Sequence, residues 1–592
     1  MSVTTQAGTH RSGVVHTFLP TLASVKRYEP LSIAWVVPLT LDPDPALLQI
    51  PGPARSAAWT KAIGPGSRLV RLIEGTENAN VTWAIDPAVL GPRDNPPAVD
   101  PSTPPNATPG PSQRTPAAKP SPTPLPPART PLPGQRGSAP LDGVSQATTA
   151  LAVRLKAAAP RHTLWALPYA DPDLSALMPL SSGNRVLNAL IKHPSTLDVA
   201  VGPARTDIAW PVADALTRKN QTRLRRTFTT TGLAAVVTSA STLTGRNGST
   251  ADASSESSTG LPLLAYDESL SRTVAQTSSS SAGAITIQRF LADSMALLGE
   301  RPGTQNRSVL IAEPRAFAGD PNVLRALFAA VAKAPWLTPT TTGQLLAAGK
   351  IVDSETADQG AGSSDGTSRT SEGGSSGSPP SSLTTKEGPV DPLGPGISPL
   401  TSDGVANIPR TISAIAGVAS VLGDGAAFSG TWTDAQIQKL SARWRDHPEG
   451  LLAVDKATTA ALSTVSRSVR VAPSSVNFFA DRGFLQFTLV NDLAVPIHDV
   501  HLTLTPAQPR LRIEQQPGPL KIGAKSRLNV RVQVSSIAAG LVGVAAVLTT
   551  PNGTRVGKSA KVNVHVQPPS SWIYWGLGGL GSLVMVLGMY RS

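Results

Sequence analysis

The sequence predicts a multidomain chain: an α/β, (β/α) barrel-like domain, a small helical region, a C-terminal immunoglobulin-like β-sandwich and one C-terminal transmembrane helix. Three observations carry this. Seven short apolar runs, each closed by proline or an acid and followed by helix-like sequence, recur through the first 350 residues. Beyond residue 470 apolar and polar residues alternate strictly. The run from Ile573 to Tyr590 contains no charge at all.

Composition bounds the alternatives. The 592 residues include 56 prolines and 50 glycines, with only 15% charged, so the chain is not one compact domain of ordinary make-up. It has no cysteine, which excludes a disulfide scaffold, a thiol nucleophile and any metal site with thiolate ligands. A net charge of +13 favours anionic surroundings without choosing among nucleic acid, acidic polymer and lipid headgroup.

Residues 1–15 read as a disordered start. Met1–Gly13 (MSVTTQAGTHRSG) lacks a basic segment followed by an apolar one, so no signal peptide is expected as the sequence stands. His16–Pro20 (HTFLP) reads as the continuation of an earlier domain, and a start codon further upstream is expected.

Residues 16–90 with 144–350 carry the barrel-like domain. Its runs are SIAWVVP (32–38), VTWAIDP (81–87), HTLWALPYADPD (162–173), DIAWP (207–211), AAVVTSAS (234–241), LPLLAYDE (261–268) and SVLIAEP (308–314). Seven β units separated by stretches such as NRVLNALIKH imply a parallel sheet. A seven-stranded, incomplete (β/α) barrel closes that count best, with an open doubly wound sheet as the alternative. Residues 91–143 form a Pro-rich spacer and 352–402 a Gly/Ser-rich one, since neither offers apolar side chains for a core.

Residues 403–468 read as helical, with Ile437, Leu440 and Trp444 at spacings of three and four. Residues 470–567 supply six or seven strands, the profile of an immunoglobulin-like sandwich, and Asn552-Gly553 signals a two-residue hairpin turn. Residues 573–590 would make about 27 Å of helix, enough for one span, with Trp572, Tyr574, Trp575 and Tyr590 suited to the headgroup belt.

In a parallel α/β domain ligand groups stand at the carboxyl ends of strands, here Asp86, Tyr169, Asp171, Asp173, Asp267, Glu268 and Glu313. Asp86 with Asp171, Asp267 or Glu313 forms the candidate catalytic set. Two such carboxylates about 5–9 Å apart can act on a glycoside as acid and base or nucleophile. Equally, Asp-Pro at 86 and 171 and Glu-Pro at 313 can cap the next helix or begin a turn. Trp35, Trp83, Trp165 and Trp210 could offer platforms to sugar rings, or simply fill the core.

No metal site and no cofactor is expected. The eight histidines show no HxxxH spacing, and His498 and His501, three apart in a strand, should lie on opposite faces. No phosphate-binding glycine loop or GxSxG elbow occurs. The basic segment Arg218, Lys219, Arg223, Arg225 and Arg226 fits a solvated helix face or an anion-holding patch, and no nucleic-acid partner is expected.

The ordered run TWAIDP, ALPYADPD, DIAWP, LIAEPRAF, APWLTPTT, SARWR, VNDLAVPI and LTTPNGTRVG before the final apolar run resembles a family of uncharacterised actinobacterial membrane-anchored envelope proteins, usually encoded beside the lipid II flippase of peptidoglycan synthesis. The resemblance covers nearly all the chain outside the two spacers. It implies an exported protein, a barrel similar to the glycoside hydrolase and deacetylase superfamily, and a C-terminal anchor. The N-terminal signal and additional N-terminal β domain of that family have no counterpart here. Nothing matches the deacetylase HxxxH pair either, so Asp86 would stand alone of that metal set.

The expectation is therefore a plasma-membrane protein with a single C-terminal anchor and its bulk extracytoplasmic. It would bind cell-wall glycan or peptidoglycan-synthesis proteins without catalysis. The alternatives are a glycan-active hydrolase using the strand-end carboxylates and a cytosolic, tail-anchored basic binding protein.

Overall fold

The computed structural model describes residues 2–5, 8–11, 20–21, 28–92, 143–348 apart from 192–195, 213–216, 230, 244–248, 258 and 279–282, 396–567 apart from 474, and 572–591. Most of both spacers, 91–143 and 352–402, lies outside the described residues. The chain divides into two compact units, one holding most of the residues up to Ile397 and the other Ser398–Ser592. At the very start Ser2–Thr5 pairs antiparallel with Gly8–Arg11, where the sequence reads as disordered.

The first unit is built on seven parallel strands: β1 (Leu31–Leu39), β2 (Thr82–Ile85), β3 (Thr163–Ala166), β4 (Ile208–Ala209), β5 (Ala235–Ser239), β6 (Pro262–Tyr266) and β7 (Ser308–Ala312). Six fall each within one of the seven apolar runs, and β1 extends one residue beyond its run at each end. Strands buried on both faces need continuous apolar sequence, and β1, LSIAWVVPL, has a single residue that is not fully buried. In the sheet β1 to β3 are consecutive neighbours, β4 to β7 likewise, and β7 returns to pair with β1 from Ser308↔Ser32 to Ala312↔Val36. Between β3 and β4 the seam closes through Arg205, whose N–H donates to Leu164 O at 2.9 Å and whose carbonyl accepts from Ala166 N at 2.8 Å. The result is a nearly closed, barrel-like sheet, not the open doubly wound alternative. Leu337–Pro339 adds to the free amino-terminal half of β1, where the shorter β2 does not reach.

Helices α1 (Pro53–Ile63), α2 (Arg68–Thr76), α3 (Gly143–Ala158), α4 (Gly183–Ile191), α5 (Arg218–Thr227), α6 (Glu268–Ala275), α7 (Gly283–Glu300) and α8 (Pro321–Lys333) fill the crossovers. Their starts are chemically marked. Ser67 caps α2 by accepting from Val70 N, and Asp320 caps α8 by accepting from Asn322 N and Val323 N ahead of Pro321. Helix α5 carries the basic segment: Gln221, Leu224 and Thr227 are buried at spacing three, while Arg218, Lys219, Arg225 and Arg226 are exposed.

The second unit begins with α9 (Ser402–Ala419), α10 (Gly425–Gln438) and α11 (Pro448–Ser468). Helix α10 ends at Gln438 instead of running on to Trp444. The indole N–H of Trp444 donates to Gln438 O at 2.7 Å, and Ser441 starts a separate 3-10 turn by accepting from Arg443 N.

Nine strands follow: β8 (Val469–Val471), β9 (Ser475–Phe478), β10 (Arg482–Asn491), β11 (Ile497–Pro506), β12 (Leu511–Ile513), β13 (Leu520–Ile522), β14 (Ser526–Ser536), β15 (Gly540–Thr549) and β16 (Ala560–Val566). They form two sheets, ordered β8-β10-β14-β12 and β9-β16-β15-β11-β13. Alternation puts Leu485, Phe487 and Leu489 of one sheet and Val542, Val544 and Val564 of the other into one core. Val418, Val421, Leu422 and Val465 from the helical region join that same core.

Two local readings change. The turn after β15 is a three-residue loop: Thr550 O accepts from Gly553 N, Thr550 N donates to Thr554 O, and Gly553 has φ 78°. Pro551 presets the first turn position, which moves glycine from the centre of the turn to the left-handed position after it. In β11 a bulge between Ile497 and Val500, with Asp499 at φ 56°, leaves both of those residues buried although they are three apart. His498 and His501 therefore share the outward phase instead of lying on opposite faces.

Helix α12 (Trp572–Arg591) occupies the uncharged run. The side chains of α12 are described only for residues 578–590, and among the described residues no helix is long and apolar enough to cross a membrane.

Candidate functional site

The carboxyl ends of the barrel strands bring most of the candidate acids to one rim. Asp86 follows β2 and is 1% exposed. Its Oδ1 accepts from Ala88 N at 2.9 Å, starting the turn Pro87–Leu90, and from Ala170 N at 2.8 Å. The second bond reaches the loop after β3, where Ala170 (φ 67°) and Asp171 (φ 41°) are consecutive non-glycine residues in the left-handed region. Ala170 has no polar side chain to favour that conformation, which costs about 1–2 kcal/mol. Asp86 thus holds the strained residue that aims Asp171.

Asp171 is buried and meets Arg315, from the loop after β7, through Oδ2 to Nε at 3.0 Å and Oδ1 to a terminal nitrogen at 3.3 Å. The same guanidinium donates to Trp210 O at 2.7 Å and lies 4.0 Å over the Trp210 ring, at the end of β4. The Arg315 carbonyl accepts from Thr40 Oγ1 and from Arg68, which also donates to Thr40 O, Phe317 O and Asp42 Oδ1. One polar network therefore runs from the end of β1 through α2 and the ends of β7 and β3 to the end of β4. The sequence singles out neither Arg315 nor Arg68, although the Pro-Arg of LIAEPRAF was visible within a strand-end motif.

Asp267 follows β6 and serves α6, accepting from Leu270 N at 2.8 Å. Burial pushes its pKa up, opposed by the backbone N–H groups of the helix start, with the charges of Glu300 and Asp293 adding a smaller push. Glu313 differs from the other three. It is 1% exposed, and among the described residues neither carboxylate oxygen has a hydrogen-bond partner. Burial alone raises its pKa well above the ordinary carboxylate range. Leu310 and Ala312 belong to the cluster inside the barrel with Val36, Trp165 and Trp210, so Glu313 falls on the opposite phase, toward the helices.

The four tryptophans are core residues, at 4%, 0%, 1% and 6% exposure for Trp35, Trp83, Trp165 and Trp210. Trp83 donates to Thr76 Oγ1 and stacks on His162, and Trp35 packs against Phe290 and Phe328. Among the described residues no three His, Asp or Glu side chains cluster as a metal site.

The strand ends that build this rim come from motifs spread between residues 40 and 317, and residues 1–592 match a family of unknown function, DUF6049. The chain belongs to DUF6049. No curated protein matches it. Solved structures similar to parts of this DUF6049 member include the E. coli alpha-2-macroglobulin in its native conformation, 15% identical over 17% of this chain and 6% of that one, with a TM-score of 0.14. Others are WR4, a C. elegans MSP family member (11% identity, 17% and 98% coverage, TM-score 0.14), and PapD-like domain 7 of human CEP192 (10% identity, 18% and 89% coverage, TM-score 0.14). Likenesses of that size fix neither the fold nor the activity of a DUF6049 chain.

Proposed function

We propose that this DUF6049 member is an extracytoplasmic envelope protein, anchored in the plasma membrane by α12, whose barrel head binds cell-wall glycan or a protein of peptidoglycan assembly without catalysing a reaction. The actinobacterial setting, the link to the lipid II flippase, the immunoglobulin-like class of the sandwich and the kinship of the barrel with the glycoside hydrolase and deacetylase superfamily belong to this same reading.

The observation that carries the non-catalytic part is the engagement of Asp171. Its carboxylate is spent on Arg315, which also fills the rim over Trp210, while Asp86 and Asp267 accept backbone N–H bonds. A glycosidase pair needs one carboxylate free to face the sugar carbon and another to move a proton. The anchor rests on the uncharged run from Ile573 to Tyr590 and on the exposure of Leu580, Leu583, Val584, Met585, Val586 and Leu587, each at 58–69%.

The test is sedimentation of the full chain with purified peptidoglycan, with release of new reducing ends followed in parallel. Binding without release is expected, and absence of binding at physiological salt removes the glycan arm of the proposal.

A specific observation favours a second reading, the hydrolase. Glu313 is a fully buried strand-end carboxyl whose pKa burial raises well above the ordinary range, the direction a general acid requires, although its side chain stands on the helix-facing phase of β7. Release of reducing ends that disappears in Glu313→Gln would install that reading. Protection of the barrel from external protease in intact cells would instead favour the cytosolic, tail-anchored alternative.

A further inference from the structure

The β-sandwich exposes large apolar side chains at one end, and that end is the one from which the chain leaves for α12. Phe479, Phe484, Ile537 and Leu541 are 62%, 65%, 64% and 52% exposed. Strand pairing places them at that one end, with Phe484 on the outer face of one sheet and Leu541 on the outer face of the other. Phe478, next to Phe479, pairs with Val566, the last residue of β16; Gly540 pairs with the same Val566, and Leu541 with His565. On the other sheet Phe484 pairs with Gln533 and Arg482 with Ser535, just before Ile537. A groove of about 450 Å³ between Pro506, Pro509, Leu511 and Ile537 extends the same surface.

We propose that this end is a lipid-facing tip, which inserts Phe479, Phe484, Ile537 and Leu541 into the interfacial layer of the bilayer that α12 enters. The inference rests on the reading of α12 as an anchor and adds a second contact with the same membrane. Geometry supplies the reason. From Val566 to Trp572 there are six residue steps, at most about 20 Å of extended chain, so an anchored α12 holds the tip within reach of the headgroups. Aromatic and aliphatic side chains at such a tip partition into that layer. Charge plays the smaller part. Arg482, Arg510 and Arg512 stand against Asp481 and Glu514 around the tip, a weakly positive rim whose arginine stems can lie along the apolar surface while their heads stay wet. The occupant is therefore lipid, taken up by apolar insertion and not by recognition of an anionic headgroup.

The chain has no native cysteine, so single reporters can be placed directly. In full chain reconstituted into phosphatidylcholine vesicles with brominated acyl chains, fluorophores are attached at Phe484→Cys or Ile537→Cys on the tip, at Leu587→Cys in α12, and at Ala494→Cys at the far end of the sandwich. Quenching at 484 and 537 at least twofold greater than at 494, together with quenching at 587, is the expected result. Quenching at 587 with 484 and 537 no different from 494 overturns the tip and leaves the anchor standing, including the case in which a second copy or another protein covers the patch. No quenching at 587 overturns the anchor reading, and the tip with it. The paired variant Phe484→Ser, Ile537→Ser should at least halve the quenching of a reporter at Leu541→Cys, and unchanged quenching there also counts against insertion.

Discussion

Asp171 and Arg315 stand 144 positions apart in sequence, and the carboxylate of one grips the guanidinium of the other through bonds of 3.0 and 3.3 Å. Their side chains are only 6% and 12% exposed, so removing either leaves the other charge buried without its partner. Loss of one member of such a pair costs about 3–5 kcal/mol. Asp171→Ala and Arg315→Ala should each lower the denaturation midpoint of the barrel, with Arg315→Ala costing more because it also gives up Trp210 O and the Trp210 ring. The double variant should cost clearly less than the sum. Additive losses in chemical denaturation would mean that the pair does not hold the rim together.

Glu313 makes stability depend on pH in a definite direction. Burial raises its folded pKa above the unfolded value near 4.5, so the folded protein keeps a proton that the unfolded chain releases. Its contribution is then most favourable below about 4.5 and is lost as pH rises from there toward the folded pKa. Glu313→Gln cannot titrate. Its stability relative to the natural chain should improve as pH rises above about 5, and a difference that does not change with pH in urea titrations would contradict the burial of the charge.

These two sites show what kind of structure could be read from sequence. The seven barrel strands were legible because each is a continuous apolar run ended by proline or an acid, a local signal that burial on both faces requires. The partner of Asp171 was not, because nothing near residue 171 specifies an arginine after the seventh strand. Phase was the other weak point. A single extra residue at Asp499 moves His498 and His501 onto one side, and the indole of Trp444 returning to Gln438 O ends a helix that the spacing of Ile437, Leu440 and Trp444 would continue. The turn-starting role read for Asp86 is the one its carboxylate plays, whereas the ion pair of Asp171 and the unpartnered burial of Glu313 could not be told from capping, since all three look alike in a strand-end Asp or Glu.

Asn491 gives the string VNDLAVPI a physical reason without reference to ligand. It is fully buried, donating to Val495 O at 2.9 Å and Gly523 O at 2.8 Å while accepting from Leu493 N at 3.0 Å. Asn491→Ala strands those groups and should cost about 1–3 kcal/mol. Asn491→Asp keeps the acceptor but points a carboxylate at two carbonyls, so its penalty should exceed that of alanine and grow as pH rises above 5. An aspartate as stable as asparagine at pH 8 would show that the amide nitrogen makes neither bond.

Helix α9 meets the loop after β15 at a glycine. A Cβ on Gly417 would fall 2.3 Å from Thr554 Oγ1, 2.7 Å from its Cβ and 2.9 Å from its Cγ2. Gly417→Ala should therefore cost about 1–3 kcal/mol through overpacking, despite alanine being the better helix former by about 1 kcal/mol. The two effects separate in a Thr554→Gly background, where the clashing side chain is gone. There Gly417→Ala should become neutral or stabilising, a reversal of sign that only direct contact between these two positions produces. The same loss in both backgrounds, measured on the sandwich transition in guanidinium chloride, would place the helix elsewhere on the sheets.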